Sequence, residues 1–334
     1  MIKEAMLWDQ LENSKVQCTL CAHTCKISEG NTGICGVRRN DGGKLNTLIY
    51  NSASSMNPDP IEKKPLFHFH PGSNAYSLGT IGCNFSCEHC QNFSISFAKV
   101  DGTHLREVSP KEVIESARRL NCQGIAWTYN EPTIWFEYTY NTSKLAKEAG
   151  LYSVYVTNGY MSESALDKIS PYLDGANVDV KAFREEFYKR VCKAKLEPVL
   201  RTCERMKKMS IHLELTYLLI PTKNDDPEEI KEFCDWAASI GKDTPVHFSR
   251  FHPMHGMSHL RSTPIETLEM AYKSAKEAGI EYVYLGNVYA HRYENSYCPD
   301  CDELLIERRG YHIIPRIRSY DKCPKCGREL NIIN

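Results

Sequence analysis

The stretch that decides the fold reads Cys83-Asn84-Phe85-Ser86-Cys87-Glu88-His89-Cys90. Residues 75–81 before it are apolar enough for a buried strand, which Gly82 ends. The three cysteines therefore lie on a loop that leaves a strand end. Three closely spaced thiolates hold three irons of a cubane cluster and leave the fourth iron open, and an open metal position is typical of a catalytic site. A zinc knuckle or scattered core cysteines are the alternatives.

Composition narrows the class of protein. The chain has 334 residues, of which 42% are hydrophobic, enough for one large α/β domain with small appendages. Its net charge of −1 gives no basic field for nucleic acid, which is not an expected partner. We expect no membrane span and no signal peptide. Fifteen cysteines with CxxC spacings indicate metals and a reducing, cytoplasmic location.

A second cysteine group lies in an N-terminal cysteine-rich segment, residues 1–50. Its members, the N-terminal quartet, are Cys18, Cys21, Cys25 and Cys35. Four thiols on so short a segment complete the coordination of one metal centre, either zinc or a second iron–sulfur cluster, and ligand softness does not separate the two. His23 lies inside the group and is interpreted as a spacer.

Residues 51–74 are predicted to be a stiff connector, because their prolines forbid a regular helix. His68 and His70 alternate with phenylalanines, as they would on an extended strand. Metal ligation is one reading of these histidines, and packing is the favoured one.

From residue 75 to 290 the chain alternates short β-branched runs with helical segments. The candidate strands are 75–81, 124–129, 152–157, 176–181, 211–220, 244–250 and 281–286. A cap followed by proline predicts helix starts at Ser109, Asp226 and Thr263, and glycines predict helix ends at Gly150, Gly241 and Gly279. Repeated βα units favour a parallel sheet covered by helices, with chemistry at the C-terminal strand ends.

Residues 291–334 form a small C-terminal unit that resembles a zinc ribbon or a rubredoxin-like site. Two CPxC knuckles contribute the ribbon quartet of Cys298, Cys301, Cys323 and Cys326. Each knuckle gives two thiolates, and two knuckles close a tetrahedron, for which we favour structural zinc over iron. The four remaining cysteines are interpreted as isolated packing residues, namely Cys122, Cys192, Cys203 and Cys234.

The loop of Cys83, Cys87 and Cys90, the triplet, resembles that of radical S-adenosylmethionine (SAM) enzymes. His89 matches in kind the aromatic residue that precedes the third cysteine in that family. The resemblance implies a partial (β/α)6 TIM-like barrel in which SAM chelates the open iron of a [4Fe-4S] cluster. One electron then cleaves SAM to methionine and a 5′-deoxyadenosyl radical that abstracts hydrogen from a substrate.

The strand ends carry further segments that resemble SAM-binding parts of glycyl-radical-enzyme activases. By that resemblance the residues near SAM, beside His89, are Asn130, Glu131, Asn158, Asp179, Lys181 and His252. The pattern departs from the activases at Val156, where they carry aspartate, and at Thr216, where they carry arginine. Arg250 is read either as a holder of a substrate carboxylate or as a member of an ion pair.

Over essentially the whole chain the motifs resemble the AmmeMemoRadiSam system radical SAM enzymes, relatives of pyruvate formate-lyase activating enzyme. The motifs are the N-terminal quartet, the run Asp59–Pro65, the triplet, TYNEP, VTNGY, DVK, RFHP and the paired CPxC knuckles. The resemblance implies partners of the Memo and AMMECR families and a protein that reduces the cluster.

The leading hypothesis is therefore a SAM-cleaving oxidoreductase of activating-enzyme type. Its target is a small molecule or a protein backbone, and the cysteine-rich ends favour a capped site and a small molecule. The rival hypothesis is a non-catalytic zinc-ribbon or electron-transfer metalloprotein, which predicts zinc at every cysteine group and no SAM binding.

Overall fold

The first part of the chain folds into small antiparallel sheets of short strands. In the computed structural model, which describes residues 2–288 and 292–334, these strands are β1 (Lys3–Glu4), β2 (Trp8–Gln10), β3 (Val16–Cys18), β4 (Lys26–Ile27), β5 (Arg38–Asp41), β6 (Lys44–Thr47) and β7 (Ser52–Ala53). One sheet has the order β2-β3-β4 and another β1-β6-β5. Turns between these strands carry most of the N-terminal quartet.

An eight-stranded sheet forms the centre of the molecule. Its strands, and the short β10 that pairs with β7 outside it, are β8 (Ser55–Pro60), β9 (Asn74–Gly79), β10 (Arg106–Glu107), β11 (Gly124–Trp127), β12 (Tyr152–Thr157), β13 (Gly175–Asp179), β14 (His212–Leu219), β15 (Val246–Arg250) and β16 (Val283–Gly286). The order is β16-β15-β14-β13-β12-β11-β9-β8, in which β8 is antiparallel and the others are parallel. The strand interiors are almost continuously buried, as expected for a parallel sheet covered on both faces.

Helices connect the parallel strands. They are α1 (Phe93–Ser96), α2 (Pro110–Arg119), α3 (Phe136–Glu148), α4 (Glu163–Ile169), α5 (Glu185–Phe187), α6 (Glu197–Lys208), α7 (Pro227–Ile240) and α8 (Ile265–Glu277). Because α1 and α5 are short additions to their connections, the order is six strand–helix repeats followed by a seventh strand. The six repeats and all seven predicted strands are confirmed, each strand within two residues at either end.

Two of the three predicted helix starts are confirmed. Ser109 and Glu112 form a reciprocal capping box at α2, and the Asp226 carboxylate accepts hydrogen bonds from two backbone N–H groups of α7. The predicted cap at Thr263 is wrong. Its hydroxyl donates to the Leu219 carbonyl at 2.6 Å and accepts from the Phe251 N–H at 2.9 Å, so it joins strand ends and leaves α8 without a side-chain cap.

Strand β8 lies in the stretch predicted as an irregular connector. Its two prolines, Pro58 and Pro60, lack the N–H that a central strand needs, and an edge strand tolerates this loss. The described strands pair only in the order given, with no pairing between β16 and β8. The observed fold is therefore an open, mostly parallel α/β sheet, and a closed barrel is not formed.

The last described segment, 292–334, is a small unit of three antiparallel strands, β17 (Ser296–Tyr297), β18 (Leu304–Arg309) and β19 (His312–Pro315). It has its own apolar cluster around Leu305 and Ile306. Ile333 pairs with Phe69 of the connector, so the ribbon is joined to the sheet. The predicted boundary between residues 290 and 291 lies outside the described residues. None of the described helices has the length and apolar character needed to cross a bilayer.

Candidate active site

A cavity of about 600 Å³ lies at the C-terminal ends of the parallel strands, where the loops after β9, β11, β12 and β13 meet. Its volume is in the range of small-molecule and cofactor sites. The three triplet cysteines line it, together with six of the seven residues expected near SAM, namely His89, Asn130, Glu131, Asn158, Asp179 and Lys181. The structure therefore brings together segments that are up to about a hundred residues apart in the sequence.

The triplet thiols lie at the inner wall of this cavity. Cys87 is buried, and Cys83 and Cys90 are partly exposed. The backbone N–H of Phe85 donates to the Cys83 Sγ at 3.4 Å. Burial raises the pKa of Cys83 and Cys90, because desolvation disfavours the thiolate. Without a cation these thiols hold their protons, and a metal centre would supply the charge that removes them.

Cys192 was interpreted as a packing residue, and it is completely buried. It lies behind Cys87, and its hydrogen bond is the largest cause that raises the pKa of the Cys87 thiol, ahead of burial. Cys192 does not line the cavity. The three thiols that face the cavity are those of the triplet.

The triplet loop fits an iron–sulfur cluster by an observation other than its cysteine spacing. Two buried nitrogen atoms beside the thiols, His89 Nδ1 and Asn84 Nδ2, have no hydrogen-bond partner. Buried donors of this kind ordinarily have acceptors, and the sulfides and thiolates of a cluster are acceptors. Burial lowers the pKa of His89 to about 3, so its imidazole is neutral at physiological pH.

Glu131 ties together the ends of two strands. Its Oε1 accepts from the Thr133 N–H and hydroxyl and from the Thr157 hydroxyl at 2.6–2.9 Å, and its Oε2 accepts from the Asn158 N–H at 2.8 Å. The side chain is 2% exposed. Burial raises its pKa, and these hydrogen bonds oppose that shift. The carboxylate thus positions Asn158, whose amide donates to Asn84 Oδ1 at 2.8 Å.

Tyr129 and Asn130 form the turn that packs against the start of the triplet loop. Tyr129 has a φ of 73°, a left-handed conformation that glycine adopts without strain. Its hydroxyl donates to Asp59 at 2.7 Å, which anchors the residue. Asn130 accepts from the Thr80 N–H at 3.1 Å and donates to the Gly82 carbonyl at 2.8 Å, so it fixes the turn into the triplet loop.

Asp179 and Lys181 form an ion pair at 2.7 Å on the cavity wall. Although burial by itself lowers the pKa of Lys181, the Asp179 carboxylate raises it, and the net shift is upward. Lys181 is therefore a permanent positive charge beside the triplet. Thr216, at the position of the activase arginine, donates to the Asn177 side chain at 2.9 Å and offers no positive charge.

A second charged group at the cavity, formed by Asp59, Lys63 and Lys64, is not among the site residues predicted from the sequence. Lys63 and Lys64 line the wall, and both donate to Asp59, at 2.8 and 2.7 Å. Burial alone would raise the pKa of Asp59, but hydrogen bonds from both lysines and Tyr129 hold it well below its usual range. The signal in the sequence is the run Asp59–Pro65, in which four of the seven residues are charged.

His252 is the SAM-site prediction that the structure does not bring to the cavity. It is exposed, and its Nδ1 lies 3.4 Å from the Ser262 hydroxyl. Arg250 donates to the Thr263 carbonyl at 2.8 Å and is partly buried. Neither residue lines the cavity wall, and a contact of either with SAM stays a prediction.

His68 is a satisfied packing residue, as favoured from the sequence. Its Nδ1 lies 2.8 Å from the Asn331 carbonyl, so it carries the proton, and its Nε2 accepts from the Tyr284 hydroxyl at 2.6 Å. The chain of hydrogen bonds continues through Ser296 to Arg308. His70 stacks on Tyr152 with ring centroids 5.0 Å apart.

The ribbon quartet forms a ready-made site for one metal ion. Its four Sγ atoms all lie within 4.8 Å of one another, with 3.5 Å between Cys298 and Cys326 and 3.7 Å between Cys301 and Cys323. Thiolates that share one tetrahedral zinc are about 3.8 Å apart, because the Zn–S bond is about 2.3 Å. The spacing fits a single tetrahedral ion.

Comparison with known proteins agrees with this site. The model of the radical SAM superfamily matches residues 78–236, which include the triplet. The uncharacterized protein MJ0808 of Methanocaldococcus jannaschii is 44% identical over 337 residues, covering 99% of this chain and 100% of its own. The chain belongs to the radical SAM superfamily. Membership implies an enzyme with radical chemistry, SAM and a [4Fe-4S] cluster.

Two further comparisons are more distant. The putative glycyl-radical enzyme activating enzyme MJ1632 of the same organism is 29% identical over 167 residues, covering 48% of this chain and 63% of its own. The structure of Streptococcus suis SuiB bound to precursor peptide SuiA gives a TM-score of 0.50 at 11% identity, covering 69% of this chain and 52% of SuiB. The likeness to SuiB shows the fold alone.

Proposed function

We propose that this radical SAM protein binds SAM in the cavity at the strand ends and cleaves it reductively to abstract hydrogen from a small molecule. The observation that carries the proposal is the convergence of the three triplet thiols on one cavity of about 600 Å³ with polar side chains from three successive strand ends. When bound, a [4Fe-4S] cluster with one open iron supplies the electron that converts SAM to methionine and a 5′-deoxyadenosyl radical.

The chain's own residues hold and orient the reactants. Cys83, Cys87 and Cys90 would ligate three irons and leave the fourth for SAM. Lys181 offers a positive charge to the SAM carboxylate, and Asp179 holds the ammonium in place at 2.7 Å. Since Thr216 replaces the activase arginine, Lys181 carries this task without a second cation on β14. Glu131 and Asn130 position the loops around the triplet, because their side chains form hydrogen bonds with backbone groups of those loops.

A second cavity, of about 920 Å³, gives the substrate a place. It shares wall residues with the SAM cavity, among them Lys63, Thr216 and Tyr311. Its far wall is the ribbon hairpin, from Glu307 to Tyr311. A wall formed by the chain's own ribbon narrows the space open to a partner protein, which supports a small-molecule substrate. Structural zinc in the ribbon quartet would hold this wall.

Modification of a partner protein is the second candidate. It is supported by the 29% identity to MJ1632, which is described as a putative glycyl-radical enzyme activating enzyme. We also propose that the protein belongs to the AmmeMemoRadiSam system. Its partners would then be Memo and AMMECR proteins and a protein that reduces the cluster. A partner-dependent glycyl radical signal in electron paramagnetic resonance would favour this candidate over a small molecule.

The test is SAM cleavage under anaerobic conditions. The protein is reconstituted with iron and sulfide, given SAM and dithionite, and assayed for 5′-deoxyadenosine. We expect the wild type to form it and Cys87→Ala to lose the activity entirely. The matched control is Cys192→Ala, a buried thiol beside Cys87 that does not line the cavity, which should retain activity. Undiminished product from Cys87→Ala would refute the proposal, and an equal loss in Cys192→Ala would indicate that a fourth protein thiol closes the site.

A further inference from the structure

The N-terminal quartet is a second cysteine site beside the triplet. Its four members line one small void, with Arg38 and Asn84 also on the wall. The void measures about 10 Å³, and apolar side chains complete its wall, namely Leu20, Ile27, Ile34 and Ile134. Cys18 ends β3, and the other three lie in the turns between β3 and β5. The fold has therefore gathered four thiols around a common centre.

The spacing of these thiols differs from that of the ribbon quartet. In the ribbon all four Sγ atoms lie within 4.8 Å of one another, whereas among the described residues no three ligand atoms of the N-terminal quartet do so. Four thiolates on one tetrahedral zinc are about 3.8 Å apart. The N-terminal quartet is thus too open for a single tetrahedral ion.

We propose that the N-terminal quartet binds an iron–sulfur cluster. In such a cluster each thiolate belongs to one of several irons, and inorganic sulfides occupy the middle, so the four Sγ atoms stand farther apart than on one ion. The open spacing of the four thiols is accounted for by this ligand class.

One buried donor on the wall supports a cluster over zinc. Arg38 is 1% exposed, and its buried Nε has no hydrogen-bond partner. The other two guanidinium nitrogens of Arg38 are occupied by Glu137 and by the Met6 carbonyl. Cluster sulfides are acceptors for such N–H groups, and a zinc ion in a closed tetrahedron adds none.

The two cysteine sites are direct neighbours. His23 Nε2 lies 2.7 Å from the carbonyl oxygen of Asn84, the residue after Cys83. A Cβ at position 82 would stand 2.7 Å from the Cys35 carbonyl, so only glycine allows this approach. Cys35 and Cys83 also line one surface cavity, of about 520 Å³. The proposed cluster therefore abuts the triplet loop.

The experiment replaces the three triplet cysteines and measures the metal that the protein still binds. The variant Cys83→Ala/Cys87→Ala/Cys90→Ala is purified anaerobically and reconstituted with iron and sulfide. Iron, zinc and acid-labile sulfide are counted per chain, and the dithionite-reduced protein is examined by electron paramagnetic resonance. We expect at least two irons with matching sulfide, one zinc in the ribbon, and a cluster signal. Because the triplet is absent, the result does not depend on the function proposed for it.

The matched control adds Cys25→Ser, a partly exposed member of the quartet. In this quadruple variant the iron and the resonance signal should fall at least tenfold, with the single zinc and the circular dichroism spectrum retained. Two zinc ions per chain without iron in the triplet-free variant would overturn the proposal, as would a folded triplet-free variant that holds no metal besides the ribbon ion. Iron that survives Cys25→Ser unchanged would overturn it as well.

Discussion

At the scale of single residues, one buried carboxylate joins the connector to two strands of the sheet. Glu214 is fully buried and accepts from the Phe67 and His68 N–H groups and from the His212 and His247 rings, at 2.6–3.0 Å. An unpartnered carboxylate at this depth would cost several kcal/mol. The network fixes the connector against β14 and β15, and through them the floor beneath both cavities.

His68 should make the stability of the protein depend on pH. Burial lowers its pKa to about 3 in the folded state, against about 6.5 when unfolded. As the pH falls below 6.5, His68 becomes protonated in the unfolded chain but stays neutral in the folded chain. The folded state therefore loses stability between about pH 6.5 and 3. From pH 7 to 5 the loss from this group is about 2 kcal/mol.

Urea unfolding of the wild type and of His68→Gln at both pH values checks this expectation. Glutamine can donate to the Asn331 carbonyl without titrating. The variant should lose about 2 kcal/mol less than the wild type over that range. Equal losses in the two proteins would show that His68 is not the responsible group.

At the scale of elements, a buried ion pair is among the contacts that join the N-terminal segment to helix α3. Arg38 of β5 and Glu137 of α3 lie 2.9 Å apart, each 1% exposed, and Glu137 also accepts from the Met6 N–H at 2.7 Å. A buried pair is weak evidence for net stability, but removal of one partner leaves an uncompensated charge. Arg38 also lies beside the four thiols of the N-terminal quartet.

Arg38→Met should lower the free energy of unfolding by about 3–5 kcal/mol, because Glu137 is then buried without its cation. Arg38→Met/Glu137→Met should recover much of that loss. The exposed pair of Lys231 and Asp235 in α7 is the control, since Lys231→Met should cost less than about 0.5 kcal/mol. Urea unfolding measures all three variants. A double variant no more stable than Arg38→Met would contradict this account.

At the scale of the whole molecule, small cysteine-rich units lie at both ends of the chain. The ribbon contacts the connector through Arg308, which donates to the Phe67 carbonyl at 2.7 Å, and through Ile333, which donates to the His68 carbonyl at 2.8 Å. These contacts place the ribbon hairpin along the larger cavity. Its metal site is built independently of the triplet.

Cys298→Ser should therefore remove one zinc per chain and lower stability, while the triplet cluster is retained. Metal binding to such a small unit contributes on the order of 10 kcal/mol to its folding. Zinc content, thermal unfolding and the visible absorbance of the reconstituted cluster are the measurements. Loss of the absorbance in a protein that remains folded would show that the ribbon and the triplet are not separate sites.

The sequence by itself determined the strand–helix order, most helix caps and the grouping of the cysteines. These features depend on short-range causes: β-branched runs form buried strands, a cap residue with proline starts a helix, and closely spaced thiols share a metal. Thr263 shows the limit of this reasoning, because its local pattern is that of a cap while its hydroxyl bonds to residues 12 and 44 positions away.

Only the tertiary structure decided which strand ends meet and which polar groups face the cavity. It joined Asp59 to Tyr129 across 70 residues, moved His252 to the surface, and set Cys192 behind Cys87. The two quartets have the same four cysteine ligands, and only the distances between their sulfur atoms in the structure distinguish them. The physical reason is that a metal site depends on how far apart the backbone holds its thiols, and long-range packing sets that distance.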